Sequence, residues 1–117
     1  MQIHTRHFDN VAILSVNGRV DSLTASRLLR AIEEQVSVDY ARLVMDLNGV
    51  NYLNTIGIKA LLQGVELARG QRGDIRLANA KAHVKYALTL AGVDTFLQMY
   101  PTVVWATASY FSKPILA

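Results

Sequence analysis

The most informative chemically functional group in the sequence is the hydroxyl of Thr55. Residues 46–57 follow a predicted buried strand and open a predicted helix, in which Asn54 is well placed as the N-cap. Thr55 then takes the first helical position with its hydroxyl facing solvent. Because a helix N-terminus offers unpaired N–H groups and a partial positive charge, it tolerates a phosphate well. A phosphate on Thr55 would bring about −1.5 to −2 charges onto this surface, which is enough to eject a partner docked there by apolar contacts.

Plainer interpretations of the same residues stay open at this stage. Thr55 could be no more than a helix-start residue that supports Asn54, because residues of this kind begin most helices. Asp21 could be a contact residue beside Thr55, or it could simply form the turn before Thr24. Thr24 is itself the predicted N-cap of an earlier helix, since its hydroxyl can accept from an N–H of the first turn.

The three histidines do not predict a metal site. His4 and His7 are three residues apart on a predicted strand, so their side chains point to opposite faces. His83 lies far along the chain on a predicted helix, and few carboxylates accompany these residues. The sequence has no cysteine, which excludes disulfides and thiol catalysis. We expect no metal.

The sequence also lacks a convincing set of catalytic side chains. Ser22 beside Asp21 has no credible histidine to activate it. Residues 70–73 (Gly-Gln-Arg-Gly) match no known phosphate-binding loop. We therefore expect no enzyme activity and no cofactor.

The elements that position these residues follow from the spacing of apolar side chains. The predicted strands span residues 2–8, 11–16, 43–45, 75–77 and 96–100, the first two joined by a turn at Asp9-Asn10. Two predicted helices span residues 25–36 and 55–69. A third is predicted between an N-cap at Asn79 and a stop at Gly92. A fourth is predicted to begin at residue 101 and to end before Pro114. This alternation predicts an α/β fold whose mixed, mostly parallel sheet of about five strands begins with an N-terminal hairpin and carries about four helices.

Composition limits the remaining possibilities. The chain has 117 residues, of which 51% are hydrophobic and 18% charged, which predicts one folded domain over residues 1–117. The formal charge of +3 is a mild excess, with one modest basic cluster at Arg69, Arg72 and Arg76, so nucleic-acid binding is not predicted. No apolar run approaches the roughly 20 residues that span a bilayer, and no signal-peptide pattern is visible. We expect a cytoplasmic protein without membrane insertion.

Aromatic residues close to the C-terminal end form a further group of interest. Helical spacing of apolar residues usually means packing, so these side chains are expected to be core or a small dimer patch. They are Trp105, Tyr110 and Phe111. A weak homodimer is one partner state that the sequence leaves open.

Three segments, taken in order, resemble the STAS family, which includes the bacterial anti-sigma factor antagonists. Residues 18–21 (Gly-Arg-Val-Asp) resemble the family's Gly-x-Leu-Asp at the end of the second strand. Residues 44–47 (Val-Met-Asp-Leu), Val50 and residues 54–57 (Asn-Thr-Ile-Gly) resemble its strand, loop and Asp-Ser-Ser-Gly phosphorylation motif. Residues 90–94 (Leu-Ala-Gly-Val-Asp) resemble a late segment of the family. The likeness covers nearly the full chain and implies a STAS-like fold.

The resemblance implies a function as well. In the family the domain docks a kinase-type anti-sigma factor in a partner-switching pathway, and phosphorylation reverses the docking. By position the phosphoacceptor is Thr55, and the implied partner-binding residues are Asp21, Ser22, Tyr52, Leu53, Asn54, Ile56, Gly57 and Lys59. Two residues depart from the family motif. Asn54 replaces the usual aspartate, which keeps the capping ability and loses the charge, and Ile56 replaces the common second serine.

Other functions compatible with the same fold remain as alternatives. One is a STAS subunit bound constitutively to the ATPase of a lipid-transport complex, which would co-purify stably with that ATPase and carry no phosphate. Another is an α/β domain that binds DNA or a small ligand. DNA binding would show a steep loss of affinity with salt.

Overall fold

The computed structural model describes residues 1–111. Its strands are β1 (Gln2–Phe8), β2 (Val11–Val20), β3 (Arg42–Leu53), β4 (Asp74–Ala78) and β5 (Met99–Tyr100). Its helices are α1 (Ala25–Ser37), α2 (Thr55–Gly70), α3 (Ala82–Leu90) and α4 (Val103–Ala108), with a 3₁₀ turn at Val93–Thr95. The strand order across the sheet is β1-β2-β3-β4-β5, with β1 antiparallel to β2 and the other pairs parallel. The predicted fold class and N-terminal hairpin are confirmed.

Helices cover both faces of the sheet, but unequally. The larger core lies under α1, α2 and α3, and includes Leu28 of α1, Leu61 of α2 and Leu88 of α3. The smaller core, on the other face, is formed by strand residues together with Ala106 of α4. Because both faces are covered, the central strands are apolar on consecutive residues, as Leu43-Val44-Met45 is.

The second and third strands are longer than the sequence predicts. The predicted strand ends at residues 16 and 45 are wrong, because pairing continues through Val20 and Leu53. Irregularities in the register between Ser15 and Asn17, and again at Gly18, let the two strands stay paired through segments that look like turns. Gly18 has a φ of 104°, which glycine adopts easily. Both strands therefore extend to the surface that holds Thr55.

Two predicted helix caps are wrong. Thr24 occupies the N-cap position of α1, but its hydroxyl donates to the carbonyl of Arg19 and accepts from the N–H of Asp21, so it ties the preceding turn instead. Asn79 lies in the left-handed region with a φ of 62°, and α3 begins later, after Lys81. The stop at Gly92 is confirmed, since its φ is 76° and its N–H donates to the carbonyl of Thr89.

The last elements are shorter than the sequence predicts. The final strand is Met99–Tyr100 only, because the chain from residue 93 first forms the 3₁₀ turn. The final helix begins at Val103, where the Thr102 hydroxyl accepts from the N–H of Trp105, and it ends at Ala108. Pro114, the predicted limit of that helix, lies outside the described residues.

Candidate functional site

The start of α2 is tied to the end of β2 by the backbone of Asn54. Its N–H donates to the carbonyl of Val20 at 3.2 Å, and its side-chain oxygen accepts from the N–H of Gly57 at 3.0 Å. The predicted Asn54 cap is therefore confirmed. Thr55 takes the first position of the helix and is exposed, as predicted.

Gly57 is buried at the point where α2 meets the strand ends. A Cβ atom at this position would lie 2.7 Å from the carbonyl oxygen of Val20 and 2.9 Å from Cδ1 of Leu53. Only glycine fits there without a shift of the backbone or its neighbours. Gly57 thus supports the surface around Thr55 from below, and Leu53 and Asn54 are half-buried beside it.

Asp21 organises the turn between β2 and α1. Its carboxylate accepts from the N–H of Leu23 at 3.0 Å and from the hydroxyl of Thr24 at 3.3 Å, and its other oxygen lies 3.4 Å from Nε of Arg19. The hydrogen bond from Leu23 lowers the pKa of the Asp21 carboxyl below its usual range, and Thr24 and Arg19 act in the same direction. The turn-forming role of Asp21 is therefore present in the structure.

Exposed apolar side chains surround Thr55. Tyr52 is 40% exposed and Ile56 48% exposed, and Leu23, in the turn after β2, is 86% exposed. The guanidinium of Arg19 lies 4.1 Å from the centre of the Tyr52 ring, directly across the β2–β3 pair. Such a group of exposed apolar residues is typical of a protein contact surface.

We name this surface the Thr55 patch. Its members are Arg19, Asp21, Ser22, Leu23, Tyr52, Thr55, Ile56 and Lys59. Ser22 is exposed in the Asp21 turn, and Lys59 is exposed one helical turn after Thr55. Sequence reasoning missed Arg19 and Leu23. The signal for Leu23 was present, as a large apolar residue inside a polar turn that joins a strand to a helix.

The late aromatic residues and His7 lie away from the Thr55 patch, whereas His83 contacts the backbone next to Tyr52. His7 stacks on Tyr40 with ring centroids 3.9 Å apart, and Nε2 of His83 is 2.9 Å from the carbonyl oxygen of Asn51. Within residues 1–111 no group of three potential metal ligands comes together. Trp105 and Phe111 are exposed, whereas Tyr110 is half-buried, with its hydroxyl bonded to the carbonyl of Leu43. A homodimer through these aromatic residues stays a prediction.

Comparison with known proteins adds an independent observation to this geometry. The family model of the STAS domain matches residues 2–106 of this chain. The chain belongs to the STAS family. It is 30% identical over 95 residues to the anti-sigma-F factor antagonist RsfB of Mycobacterium tuberculosis, a match that covers 81% of this chain and 77% of RsfB.

Solved structures of the STAS family have the same fold. An anti-sigma factor antagonist from Mycobacterium paratuberculosis is 28% identical, with a TM-score of 0.85 over 95% of this chain and 94% of that one. Unphosphorylated SpoIIAA, an anti-sigma factor antagonist, has a TM-score of 0.81 over 97% of this chain and 100% of its own at 11% identity. Phosphorylated SpoIIAA from Bacillus has a TM-score of 0.72 over 93% of this chain and 99% of its own, also at 11% identity. At 11% identity the likeness to SpoIIAA concerns the fold alone.

The length and apolar character of the helices bear on whether any of them could span a membrane. In the part of the chain that the structure describes, none of them is both long enough and apolar enough to cross a bilayer.

Proposed function

We propose that this STAS domain is an anti-sigma factor antagonist that docks an anti-sigma factor through the Thr55 patch. RsfB and the Mycobacterium paratuberculosis protein, which share 30% and 28% identity with it, are both named as anti-sigma factor antagonists. The docked protein is then an anti-sigma factor, and docking would release the sigma factor that it holds. In this role the chain acts by binding rather than by catalysis.

The observation that supports this docking surface best is the exposed apolar centre beside the start of α2. Leu23, Tyr52 and Ile56 present apolar surface, and charged side chains of Arg19 and Lys59 stand at its edge. An apolar centre with a polar rim is the usual anatomy of a protein–protein interface. Gly57 and the Asn54 cap fix the backbone beneath, so the surface needs little reorganisation on docking.

We further propose that the docked anti-sigma factor is of the kinase type and that phosphorylation of Thr55 reverses docking. Thr55 is exposed at the first position of a helix of 16 residues, where a phosphate is stabilised by free N–H groups and by the helix dipole. The positive charge of Lys59, four residues on, favours the same phosphate. Once a partner covers the site and removes water, the same charge becomes costly unless the partner supplies a cation.

SpoIIAA gives limited support for this switch. That protein has been solved in both an unphosphorylated and a phosphorylated form, so a chain of this fold accepts a phosphate. In the present chain Asn54 precedes the acceptor and accepts from the Gly57 N–H, as an aspartate could. The helix cap is thus kept, while the negative charge that the aspartate of the family motif would place beside Thr55 is absent.

The lipid-transport alternative is not favoured. Both of the relatives at 28% to 30% identity are named as anti-sigma factor antagonists.

The experiment that tests the proposal compares docking by native protein, Thr55→Glu and Thr55→Ala. The partner is the anti-sigma factor that co-purifies with the native chain, and affinity is measured by calorimetry. We expect Thr55→Glu to bind at least about tenfold more weakly, because it places a charge in the interface, and Thr55→Ala to bind like the native protein. Equal binding by Thr55→Glu would contradict the switch.

Phosphate incorporation separates the switch from the docking. Incubation with the same partner and ATP should label native protein and should leave Thr55→Ala unlabelled. Asn54→Asp, which restores the acidic residue and keeps the cap, should be labelled at least as fast as native. Labelling of Thr55→Ala would show that the acceptor is another residue.

A further inference from the structure

A second polar site lies at the opposite end of the sheet from Thr55. A cleft of about 290 Å³ opens where β3 and β4 begin, and Arg42 and Asp74 are direct neighbours in the register of those strands. We call it the arginine cleft. Its lining side chains are Arg42, Arg72, Arg76, Asp74, Ser109 and Tyr110.

The charges in the arginine cleft do not balance. Three guanidinium groups face one carboxylate, that of Asp74. This carboxylate already accepts from Nε of Arg69 at 3.1 Å and from the N–H of Ile75 at 2.9 Å, and it lies 3.8 Å from Nε of Arg76. The guanidinium of Arg72 has no hydrogen bond or ion pair with any other residue between 1 and 111; only its backbone N–H is bonded, to the carbonyl of Arg69. An anion bound in the cleft would supply the missing negative charge.

Arg76 is held in place as a preformed donor. Its side chain is only 18% exposed, and its guanidinium stacks 3.9 Å from the centre of the Tyr110 ring while donating to the Ser109 hydroxyl at 2.6 Å. Its Nε is buried and has no hydrogen-bond acceptor among the described residues. The Tyr110 hydroxyl is fixed by the carbonyls of Leu43 and Asp74, at 2.7 and 2.9 Å. A buried guanidinium positioned in this way loses little freedom when it binds an oxyanion.

The arginine cleft adjoins a larger cavity of about 630 Å³ beside α4. The two share Arg76 and Ser109, and the larger one is lined also by Tyr100, Val104 and Trp105. Its wall is thus mainly apolar and aromatic. Together the two cavities offer charge at one end and an apolar surface at the other.

We propose that the arginine cleft binds the phosphate group of a small molecule whose apolar or aromatic body lies against Trp105. Guanidinium groups recognise phosphate through paired N–H donors, and an aromatic wall accepts a ring or chain. This site is separate from the Thr55 patch, so its occupation does not depend on the proposed docking function.

Phenyl phosphate is the probe that tests the site. Trp105 is the single tryptophan of the sequence, so its fluorescence reports directly on the larger cavity. We expect a saturable change in that fluorescence on titration, competition by inorganic phosphate, and no competition by chloride at equal ionic strength. Arg42→Gln and Arg72→Gln should each weaken binding about tenfold or more, because each removes a charged hydrogen-bond donor.

The matched control is Arg30→Gln, which removes an exposed arginine from α1 on the other face of the sheet. It should bind phenyl phosphate as tightly as the native protein. Equal weakening by all three substitutions would overturn the proposal, because the effect would then come from net charge. An unchanged Trp105 signal together with no phosphate-dependent rise in melting temperature would overturn it as well.

Vesicles of phosphatidylcholine with phosphatidic acid distinguish the source of the phosphate. Binding of phenyl phosphate without binding to vesicles supports a soluble ligand. Vesicle binding that Arg72→Gln abolishes and inorganic phosphate competes supports a lipid headgroup. Vesicle binding unaffected by Arg72→Gln, with no binding of phenyl phosphate, would contradict the site.

Discussion

The two ends of the sheet carry surfaces of opposite character. At the end where β2 and β3 finish, the Thr55 patch presents exposed apolar side chains around a helix start. At the end where β3 and β4 begin, the arginine cleft is recessed and lined by charge. An apolar surface with a polar rim suits a protein partner, whereas a recessed cleft with unbalanced charge suits a small anion. If both proposals hold, one short fold keeps two kinds of recognition apart.

Under the two proposals, a phosphate would have opposite consequences at the two ends of the sheet. At Thr55 a covalent phosphate would be tolerated by the free domain and would disturb a docked partner. At the arginine cleft a phosphate group would neutralise guanidinium groups that share a single carboxylate. The difference lies in the surroundings of the charge, which are an open apolar surface in one case and a basic cleft in the other.

The largest expected effect comes from breaking the support of the Thr55 patch. Gly57→Val should lower the free energy of unfolding by about 3 kcal/mol, because its side chain would overlap the Val20 carbonyl and Leu53. Urea denaturation measures this loss. Gly70→Ala is the control, since no atom lies within 4 Å of a Cβ at that position, and we expect a change within about 0.5 kcal/mol. Equal stability of Gly57→Val and native protein would show that this contact is absent.

A smaller effect is expected at the other end, from Tyr110→Phe. The substitution removes a hydroxyl whose single hydrogen lies between the backbone carbonyls of Leu43 and Asp74, which should cost about 1–2 kcal/mol. Burial also raises the pKa of the Tyr110 phenol well above its usual range, so it stays protonated as a donor at neutral pH. The control is Tyr86→Phe, which changes an exposed tyrosine of α3. Its free energy of unfolding, measured by urea denaturation, should equal that of the native protein.

The smallest effect is expected for Asp21→Asn in the turn beside Thr55. The folded state lowers the pKa of the Asp21 carboxyl, so its stabilising contribution is present above the unfolded value of about 4 and is lost as the pH falls below it. The variant should therefore have a slightly lower melting temperature than the native protein at pH 7. The difference between the two melting temperatures should become smaller below about pH 4. A difference that widens on acidification would show that Asp21 acts in another way.

The sequence predicts the Thr55 patch better than the arginine cleft because the patch is largely local. The Asn54 cap and the exposed Thr55 follow from a few adjacent residues at a helix start. Arg42 lies in β3, Arg76 in β4 and Tyr110 in the turn after α4, and only strand register and the position of α4 bring them together. The basic cluster visible in the sequence, at residues 69–76, contains only part of the cleft.

The errors at element ends have a similar physical cause. Asn17-Gly18 has the composition of a turn, yet long-range pairing with β3 continues past it through irregular register. The hydroxyl oxygen of Thr24 could accept from an N–H of α1, but it accepts from the N–H of Asp21 instead. In the first case a long-range strand pairing overrides a local preference, and in the second a competing bond within the same turn does so.

The central claim is that the Thr55 patch docks an anti-sigma factor, and one affinity measurement tests it most directly. Calorimetry compares native protein, Ile56→Arg and Leu67→Arg against the co-purified anti-sigma factor. Ile56 and Leu67 are both exposed on α2, but only Ile56 lies in the patch. We predict that Ile56→Arg binds about a hundredfold more weakly, the loss expected for a central interface residue, with its melting temperature unchanged and with Leu67→Arg binding like native. Native affinity in Ile56→Arg, or equal losses in both variants, would contradict the assignment of this surface.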